Sequence, residues 1–302
     1  MQKDWLALKA PAKINLFLRV TGRRGDGYHT LETLMQKVDL YDELALRLCE
    51  QPGIHLRCVG SALPEDKGNL VYRAAELFLQ TVSPRVGSVP GVIITLTKNI
   101  PVAAGLGGGS SDAAATLKGL DELLSCGCSG EELASLGLRL GADVPFFLVE
   151  ASAAFATGIG EVLTPVAPLS GYSVLLVNPG FSVSTQWVYQ TFALTENKKT
   201  SNIKNSWKGL RGVGVPDGGA SDTAHLAAMH NDLEAVTASR YPMVEQLKAE
   251  LVANGATAAL MSGSGPTVFG LFADQQVAEI CQAICKYRFE HTYLVSPLPE
   301  KR

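Results

Sequence analysis

A glycine-rich segment at residues 101–114 constrains the fold of this chain most strongly. It reads Pro-Val-Ala-Ala-Gly-Leu-Gly-Gly-Gly-Ser-Ser-Asp-Ala-Ala. Alternation over 92–97 predicts a strand before it, and apolar residues at helical spacing from Ala113 to Leu124 predict a helix after it. Glycines accept positive φ and leave room for a polyanion, so successive amides and the following helix N-terminus can point at one ligand. We therefore predict a phosphate-binding loop, the alternative being a flexible turn with a serine cap.

Two common nucleotide-binding motifs do not fit this segment. A Walker A loop requires Gly-x₄-Gly-Lys-Ser/Thr, and the segment contains no lysine. A Rossmann fingerprint requires Gly-x-Gly-x-x-Gly, and Ser110 stands where the third glycine belongs. The predicted phosphate site therefore belongs to neither of these two classes.

Three further segments carry residues that chemistry at a phosphate can use. Lys13 and Asn15 are two residues apart on a predicted strand, so they share one face, which lies toward a ligand or toward solvent. Asp143 stands in Gly-Ala-Asp-Val-Pro, where a carboxylate is equally a base, a metal ligand or a turn residue. Residues 262–266, Ser-Gly-Ser-Gly-Pro, join two predicted strands and by themselves predict only a hairpin loop.

Composition excludes several classes of protein. The chain has 302 residues, of which 46% are hydrophobic and 18% charged, which excludes a disordered chain. Its net charge of −3 gives no basic field, so we expect no nucleic-acid partner. No apolar run is long enough for a membrane span and no signal peptide precedes the first strand, so we expect a cytoplasmic protein without a membrane partner. The six cysteines predict neither a disulfide framework nor a zinc site, and we predict no protein-bound metal.

The order of predicted elements favours an α+β fold, because strands and helices mix without strict βαβ alternation. Strands are predicted at 5–20, 34–48, 92–97, 172–177, 258–261 and 267–272, and helices at 69–80, 113–124, 131–140, 244–251 and 275–288. In the last helix we expect Cys281 and Cys285 on the buried side together with Val277, Ile280 and Ile284. Residues 195–222, rich in Asn, Lys, Gly and Ser, predict a mobile surface loop.

These segments together resemble the superfamily of galactokinase, homoserine kinase, mevalonate kinase and phosphomevalonate kinase. That superfamily combines an N-terminal motif, a Pro-x₃-Gly-Leu-Gly-Ser-Ser-type loop and a C-terminal glycine-rich loop. The extra glycine within 105–111 and the turn Gly27-Tyr28-His29 are most similar to members that act on a cytidine-diphosphate-linked methylerythritol. The resemblance covers residues from about 8 to 272.

The resemblance implies a two-domain small-molecule kinase with its active site in the cleft between the domains. Residues 1–160 would form an ATP-binding domain like the second domain of ribosomal protein S5. Residues 161–302 would form a ferredoxin-like domain that contributes to substrate binding. ATP would be the phosphoryl donor with Mg²⁺, the acceptor would be the 2-hydroxyl of the cytidine-diphosphate-linked substrate, and the enzyme would be a monomer or a homodimer.

The resemblance also implies roles for individual residues. Asp143 would be the base that accepts the proton of the attacking hydroxyl, and Lys13 would keep it ionised and stabilise the moving phosphoryl group. Tyr28 and Tyr189 would hold cytosine between their rings, and His29 would bond its edge. The substrate-binding residues would be Asn15, Tyr28, His29, Thr185 and Tyr189. The ATP-binding residues would be Pro101, Val102, Ala103, Ala104, Gly105, Leu106, Gly107, Gly108, Gly109, Ser110 and Ser111, with Asn69 and Leu70.

Two alternatives remain open at this point. One is another small-molecule kinase of the superfamily, similar to homoserine or mevalonate kinase. The other is a nucleotide-binding protein without turnover, although such a protein has no need of both Lys13 and Asp143.

Overall fold

The computed structural model describes residues 5–87, 90–196 and 229–300. The strands are β1 (Leu6–Arg23), β2 (His29–Cys49), β3 (Ile54–Val59), β4 (Gly91–Thr97), β5 (Ala153–Thr157), β6 (Val162–Pro165), β7 (Ser173–Val177), β8 (His230–Asn231), β9 (Ala258–Met261), β10 (Val268–Phe272) and β11 (Thr292–Val295). The helices are α1 (Leu70–Val86), α2 (Gly108–Leu124), α3 (Gly130–Leu140), α4 (Val144–Leu148), α5 (Thr185–Glu196), α6 (Glu234–Arg240), α7 (Met243–Ala253) and α8 (Gln275–Lys286).

A sheet with strand order β3-β4-β2-β1-β8 forms the larger layer, and β5 and β6 extend it from β2. The long strands β1 and β2 pair antiparallel, and their register shifts between Asn15 and Phe17. An extra residue in one strand bends it and redirects its side chains. This irregularity lies beside the two polar residues that the sequence singled out on β1.

Helix α2 crosses the larger sheet through a face made of small residues. Ala113, Ala114 and Gly119 are buried along it. A Cβ at Gly119 would lie 2.6 Å from a methyl carbon of Leu8, so a larger residue would have to displace that side chain. Because α2 begins at Gly108, within the glycine segment, this close packing also fixes where that segment lies.

The smaller sheet, in the order β11-β7-β10-β9, is antiparallel and apolar on both faces. Leu175 and Val177 pack with helices α7 and α8, whereas Val174 and Leu176 pack with Ile14 and other residues of the larger sheet. Successive side chains of a strand point to opposite faces, so a strand covered on both sides is apolar throughout. The two sheets therefore share one apolar cluster.

The predicted α+β class is confirmed. The division at residue 160 stays a prediction, and β6, which begins at residue 162, pairs with β5 in the larger sheet. Of the predicted loop at 195–222, residues 197–222 lie outside the described part of the chain. Within the described ranges, none of the helices combines the length and the apolar composition that a membrane span requires.

The expected burial of α8 was partly wrong. Cys281 and Cys285 are fully buried, but Ile280 is 64% exposed and Ile284 is 43% exposed. Ala278 and the two cysteines recur at spacings of three and four, so they form one stripe, and this stripe of small side chains faces Leu175 and Val177. Hydrophobicity alone misplaced the isoleucines because close helix–sheet packing favours the smaller side chains.

Phe78 on α1 offers a test of the main core. Its side chain is fully buried against the larger sheet, so we expect Phe78→Ala to lower the free energy of unfolding by about 3–5 kcal/mol. Ile280→Ala serves as the control, because an exposed side chain changes that free energy by only about 0.5 kcal/mol. Urea denaturation measures both variants, and equal losses would contradict the described burial.

Candidate active site

One cleft of about 1360 Å³ collects the residues that the sequence singled out. Its walls come from β1, the turn before β2, the start of α1, the glycine segment, the residue before α4, and α5. Every predicted site residue except Ser111 lines it: Lys13, Asn15, Tyr28, His29, Asn69, Leu70, Pro101, Val102, Ala103, Ala104, Gly105, Leu106, Gly107, Gly108, Gly109, Ser110, Asp143, Thr185 and Tyr189. The side chain of Ser111 is buried behind this surface.

The glycine loop presents its amides to the cleft because neighbouring segments bind its carbonyl groups. The N–H of Lys13 donates to the carbonyl of Leu106 at 2.9 Å, and the hydroxyl of Ser262 donates to that of Gly105 at 2.9 Å. Gly107 precedes α2 with φ of 71°, and no side chain caps the helix. The first amides of α2 therefore have no partner within the helix, which suits an anion.

Gly105 illustrates why this loop needs glycine. Its φ is 79°, a conformation that side chains disfavour. A Cβ there would lie 2.1 Å from the carbonyl oxygen of Ser262. Any other residue would separate the loop from the C-terminal segment that holds it.

Lys13 and Asp143 face each other within this cleft. Lys13 is buried, and its Nζ lies 3.5 Å from Oδ2 of Asp143, whose side chain is 37% exposed. Asp143 precedes α4, yet its carboxylate makes no capping hydrogen bond. The carboxylate is thus held beside an ammonium group and remains accessible from the cleft.

The predicted substrate-binding residues Tyr28, His29 and Tyr189 also line the cleft. The rings of His29 and Tyr189 stack with their centroids 5.3 Å apart, whereas Tyr28 is 60% exposed at the rim. Burial, assisted by the charge of Arg23, lowers the pKa of His29, which favours its neutral ring at pH 7. Burial and the charge of Asp143 raise the pKa of Tyr189, so its hydroxyl remains a donor. The cytosine sandwich between Tyr28 and Tyr189 stays a prediction.

The C-terminal loop at 262–266 joins the antiparallel strands β9 and β10, as predicted for a hairpin loop, and it also lines this site. The hydroxyl of Thr185 lies 2.8 Å from that of Ser264. The amide group of Asn231 donates to the carbonyl groups of Met261 at 2.8 Å and Gly263 at 2.7 Å. Sequence reasoning did not identify Asn231, because a single Asn after an unpatterned stretch carries no distinctive signal.

A buried charge cluster beneath the loop also escaped sequence reasoning. Lys98 donates to the carboxylates of Asp42 and, at 2.9 Å, Asp112. Asp42 also accepts hydrogen bonds from the N–H groups of Asn99 at 2.6 Å and Ile100 at 2.9 Å. The cluster therefore fixes the exit of β4 into the glycine loop. Lys98 stands three residues before Pro101, where the loop begins, and this position is only a weak indication of a role at the loop. No pattern in the sequence relates Lys98 to Asp42.

Burial and charge act against each other in this cluster. Burial raises the pKa of Asp112 to about 7; the charge of Lys98 opposes this rise and that of Asp42 adds to it. Burial works against the charged form of Lys98, but the two carboxylates outweigh it and raise its pKa. Near neutral pH, Lys98 is therefore charged, whereas the carboxyl group of Asp112 is only partly ionised.

Two protein-family models match the chain. Residues 69–151 match "GHMP kinases N terminal domain", and residues 220–291 match "GHMP kinases C terminal". A protein of Desulfotalea psychrophila is 46% identical over 93% of this chain and 92% of its own length. A protein of Geobacter metallireducens is 47% identical over 90% of this chain and 91% of its own. Both are named 4-diphosphocytidyl-2-C-methyl-D-erythritol kinase.

Solved structures agree with these matches. The crystal structure of a 4-(cytidine 5'-diphospho)-2C-methyl-D-erythritol kinase superposes with a TM-score of 0.73 at 33% identity, covering 96% of this chain and 98% of that one. A homoserine kinase from Cytophaga hutchinsonii has a TM-score of 0.74 at 20% identity, covering 100% of this chain and 97% of that one, which supports the fold alone.

Fold and sequence together define a small-molecule kinase of the GHMP type, which confirms the predicted superfamily and the predicted class of enzyme. Within this class, the chain belongs to the family of the 4-diphosphocytidyl-2-C-methyl-D-erythritol kinases.

The raised pKa of Asp112 makes folding stability depend on pH. The folded carboxyl holds its proton up to about pH 7, whereas an unfolded one loses it near its ordinary value of 3.8. Its contribution to stability is therefore full at acidic pH and is lost as pH rises toward 7. Asp112→Asn has no carboxyl at this position and should lack this pH-dependent loss of stability. We therefore expect the melting temperature of Asp112→Asn, relative to that of the wild type, to rise between about pH 4 and 7.

Thermal unfolding of both proteins across this range, without ligand, measures the difference. Asp274→Asn is the matched control, because Asp274 caps α8 at the surface and asparagine caps equally well. A difference between Asp112→Asn and wild type that stays constant with pH would contradict the raised pKa.

Proposed function

We propose that this protein transfers the γ-phosphate of ATP to the 2-hydroxyl of 4-diphosphocytidyl-2-C-methyl-D-erythritol, a step of non-mevalonate isoprenoid precursor biosynthesis. The observation that carries this proposal is the placement of the Lys13–Asp143 pair in one cleft with the amide-presenting glycine loop. The names of relatives that are 43–47% identical support the choice of substrate.

The glycine loop would hold the donor phosphates. The carbonyl groups of Ala104, Gly105 and Leu106 are bound by the protein. The amides at the start of α2 and the positive end of its dipole would therefore face the polyphosphate. Asn69 and Leu70, at the start of α1, would contact the nucleoside end of ATP.

Asp143 would accept the proton of the attacking hydroxyl as its oxygen bonds to the γ-phosphorus and ADP departs. The ammonium of Lys13 lies 3.5 Å from that carboxylate, where it would stabilise the negative charge that shifts during transfer. Phosphoryl transfer depends on positioning and charge stabilisation more than on covalent catalysis, so this pair suffices without a nucleophilic residue.

Mg²⁺ would accompany ATP. It binds through phosphates and a few protein oxygens, and the site offers the hydroxyl of Ser110 at the cleft and that of Ser111, which is buried without a hydrogen-bond partner. These oxygens fit the ion, which when bound would neutralise phosphate charge. In the described residues, no group of three or more His, Cys, Asp or Glu side chains is placed to hold a metal by itself.

Asn15, Tyr28, His29, Thr185 and Tyr189 would bind the acceptor. Aromatic rings favour a flat base, and polar groups that bond a substrate discriminate strongly against analogues without its matching groups. This set of residues gives a physical reason to expect a nucleotide-linked acceptor rather than a small amino acid or hydroxy acid.

Purified protein with Mg-ATP should phosphorylate the cytidyl substrate, and ³¹P NMR should show a new phosphomonoester on its 2-position. A chelator should stop turnover and excess Mg²⁺ should restore it. Homoserine and mevalonate are the comparison acceptors. Turnover with one of them but not with the cytidyl substrate would contradict the proposed specificity, and ATP binding without turnover of any acceptor would favour a non-catalytic protein.

Asp143→Asn tests the base directly. Loss of a positioned general base costs about 10²–10⁴-fold in kcat, whereas nucleotide affinity, measured by calorimetry, should persist because the glycine loop is intact. Asp26→Asn is a matched control, as Asp26 is another carboxylate at the cleft that pairs with Arg24 rather than with Lys13. Near-normal kcat in Asp143→Asn would exclude Asp143 as the base.

A further inference from the structure

Asn15 lies between two buried groups that bond opposite ends of its amide. Its Oδ1 accepts a hydrogen bond from Nζ of Lys13 at 2.5 Å, and its Nδ2 donates to Oγ1 of Thr33 at 2.8 Å. Lys13, Asn15 and Thr33 are each at most 4% exposed. Water therefore has little access with which to replace either bond.

The orientation of this amide matters because its two ends are not interchangeable. A lysine ammonium has only donors, so the NH₂ end of Asn15 cannot replace the oxygen beside Lys13. After a half-turn of the amide, donors would face the ammonium and an acceptor would face Thr33. A buried group without its hydrogen bond costs about 1–3 kcal/mol, and more when charged.

Thr33 distinguishes the two ends of the amide. Its hydroxyl donates its one hydrogen to the carbonyl of Phe17 at 2.6 Å. Only lone pairs are left to face Asn15, and these accept an N–H but repel a carbonyl oxygen. The register shift between Asn15 and Phe17 lies where β1 supplies both the amide and this carbonyl.

We propose that Thr33 is a positioning residue that fixes the orientation of the Asn15 amide and thereby holds the Lys13 ammonium beside Asp143. This inference rests on the proposed function. The chain of contacts runs from the Phe17 carbonyl through Thr33, Asn15 and Lys13 to the carboxylate. The described hydrogen bonds of Thr33 reach only Asn15 and the Phe17 carbonyl, not the glycine loop, so we expect nucleotide binding to depend on Thr33 much less than turnover does.

Thr33→Val keeps the shape of the side chain and removes both hydrogen bonds. A displacement near 1 Å in an active site can cost about 10²-fold, so we expect kcat to fall by about 10- to 100-fold. The KM for ATP should stay within about twofold, because the glycine loop is unchanged. Thr33→Ser retains the hydroxyl and should recover most of the lost kcat.

Thr292→Val is the matched control. Thr292 is also buried, and its hydroxyl donates to a main-chain carbonyl, that of Phe289, outside the cleft. We expect it to keep wild-type kcat even if it melts at a lower temperature. If Thr33→Val likewise melts lower but keeps kcat, the role of Thr33 is structural and the proposal is overturned. A raised KM for the cytidyl substrate with unchanged kcat would instead indicate direct contact and would also overturn it.

A double-mutant cycle tests whether Thr33 acts through Asn15. In the Asn15→Ala background no amide remains to be oriented, so Thr33→Val should lower kcat no further. An equal loss in both backgrounds would overturn the proposal. If the valine variant is not recovered folded, Thr33→Ala enters the same cycle.

A crystal structure of Thr33→Val supplies a readout that does not depend on turnover. We expect Lys13 Nζ to leave Asn15 and its distance from Asp143 Oδ2 to change from 3.5 Å by about 1 Å. An unmoved ammonium would overturn the positioning role. Absence of turnover in the wild type would contradict the proposed function, whereas an active wild type with an equally active Thr33→Val contradicts only the role of Thr33.

Discussion

The active site depends on how the carbonyl groups of its glycine loop are bound. The N–H of Thr267 donates to Ala104 at 3.3 Å, the hydroxyl of Ser262 to Gly105 at 2.9 Å, and the N–H of Lys13 to Leu106 at 2.9 Å. Because β1 and the C-terminal loop bind three consecutive carbonyl groups, the orientation of the loop's C=O and N–H groups is fixed before a ligand binds. A preorganised set of donors needs little rearrangement when a phosphate binds. The same bonds connect the loop to β1 and to the C-terminal loop, so both halves of the chain contribute to the phosphate site.

Two buried lysines beside this loop differ in what neutralises them. Lys98 forms ion pairs with Asp42 and Asp112, so two carboxylates of the protein itself compensate its charge. Lys13 bonds the neutral amide of Asn15 and lies beside one partly exposed carboxylate. A buried charge that is only partly compensated attracts an anion strongly, because the local dielectric is low. The proposed role of Lys13 in charge stabilisation during transfer is consistent with this difference, whereas Lys98 supports the loop.

Much of this could be read from the sequence, for reasons that differ by segment. The backbone at Gly105 and Gly107 has positive φ, which favours glycine, so the loop could be recognised from its glycines. The strand before it and the helix after it could be recognised from the spacing of their apolar residues. Asp143 and Lys13 entered the site through a resemblance, because their 3.5 Å approach depends on tertiary structure. Asp42, Thr33 and Asn231 were missed since their partners are remote in sequence and single polar residues in strands form no pattern. Ile280 and Ile284 were misplaced because packing distance, which sequence does not encode locally, selected cysteine and alanine for the buried stripe.

The central claim is that the glycine loop and the Lys13–Asp143 pair act on one phosphoryl group. A crystal structure with a non-hydrolysable ATP analogue and the cytidyl substrate tests this most directly. The account predicts the β- and γ-phosphates on the amides at the start of α2, with the substrate 2-hydroxyl about 3 Å from Asp143 and in line with the γ-phosphorus. A γ-phosphate bound away from that loop, or an acceptor hydroxyl out of reach of Asp143, would contradict it.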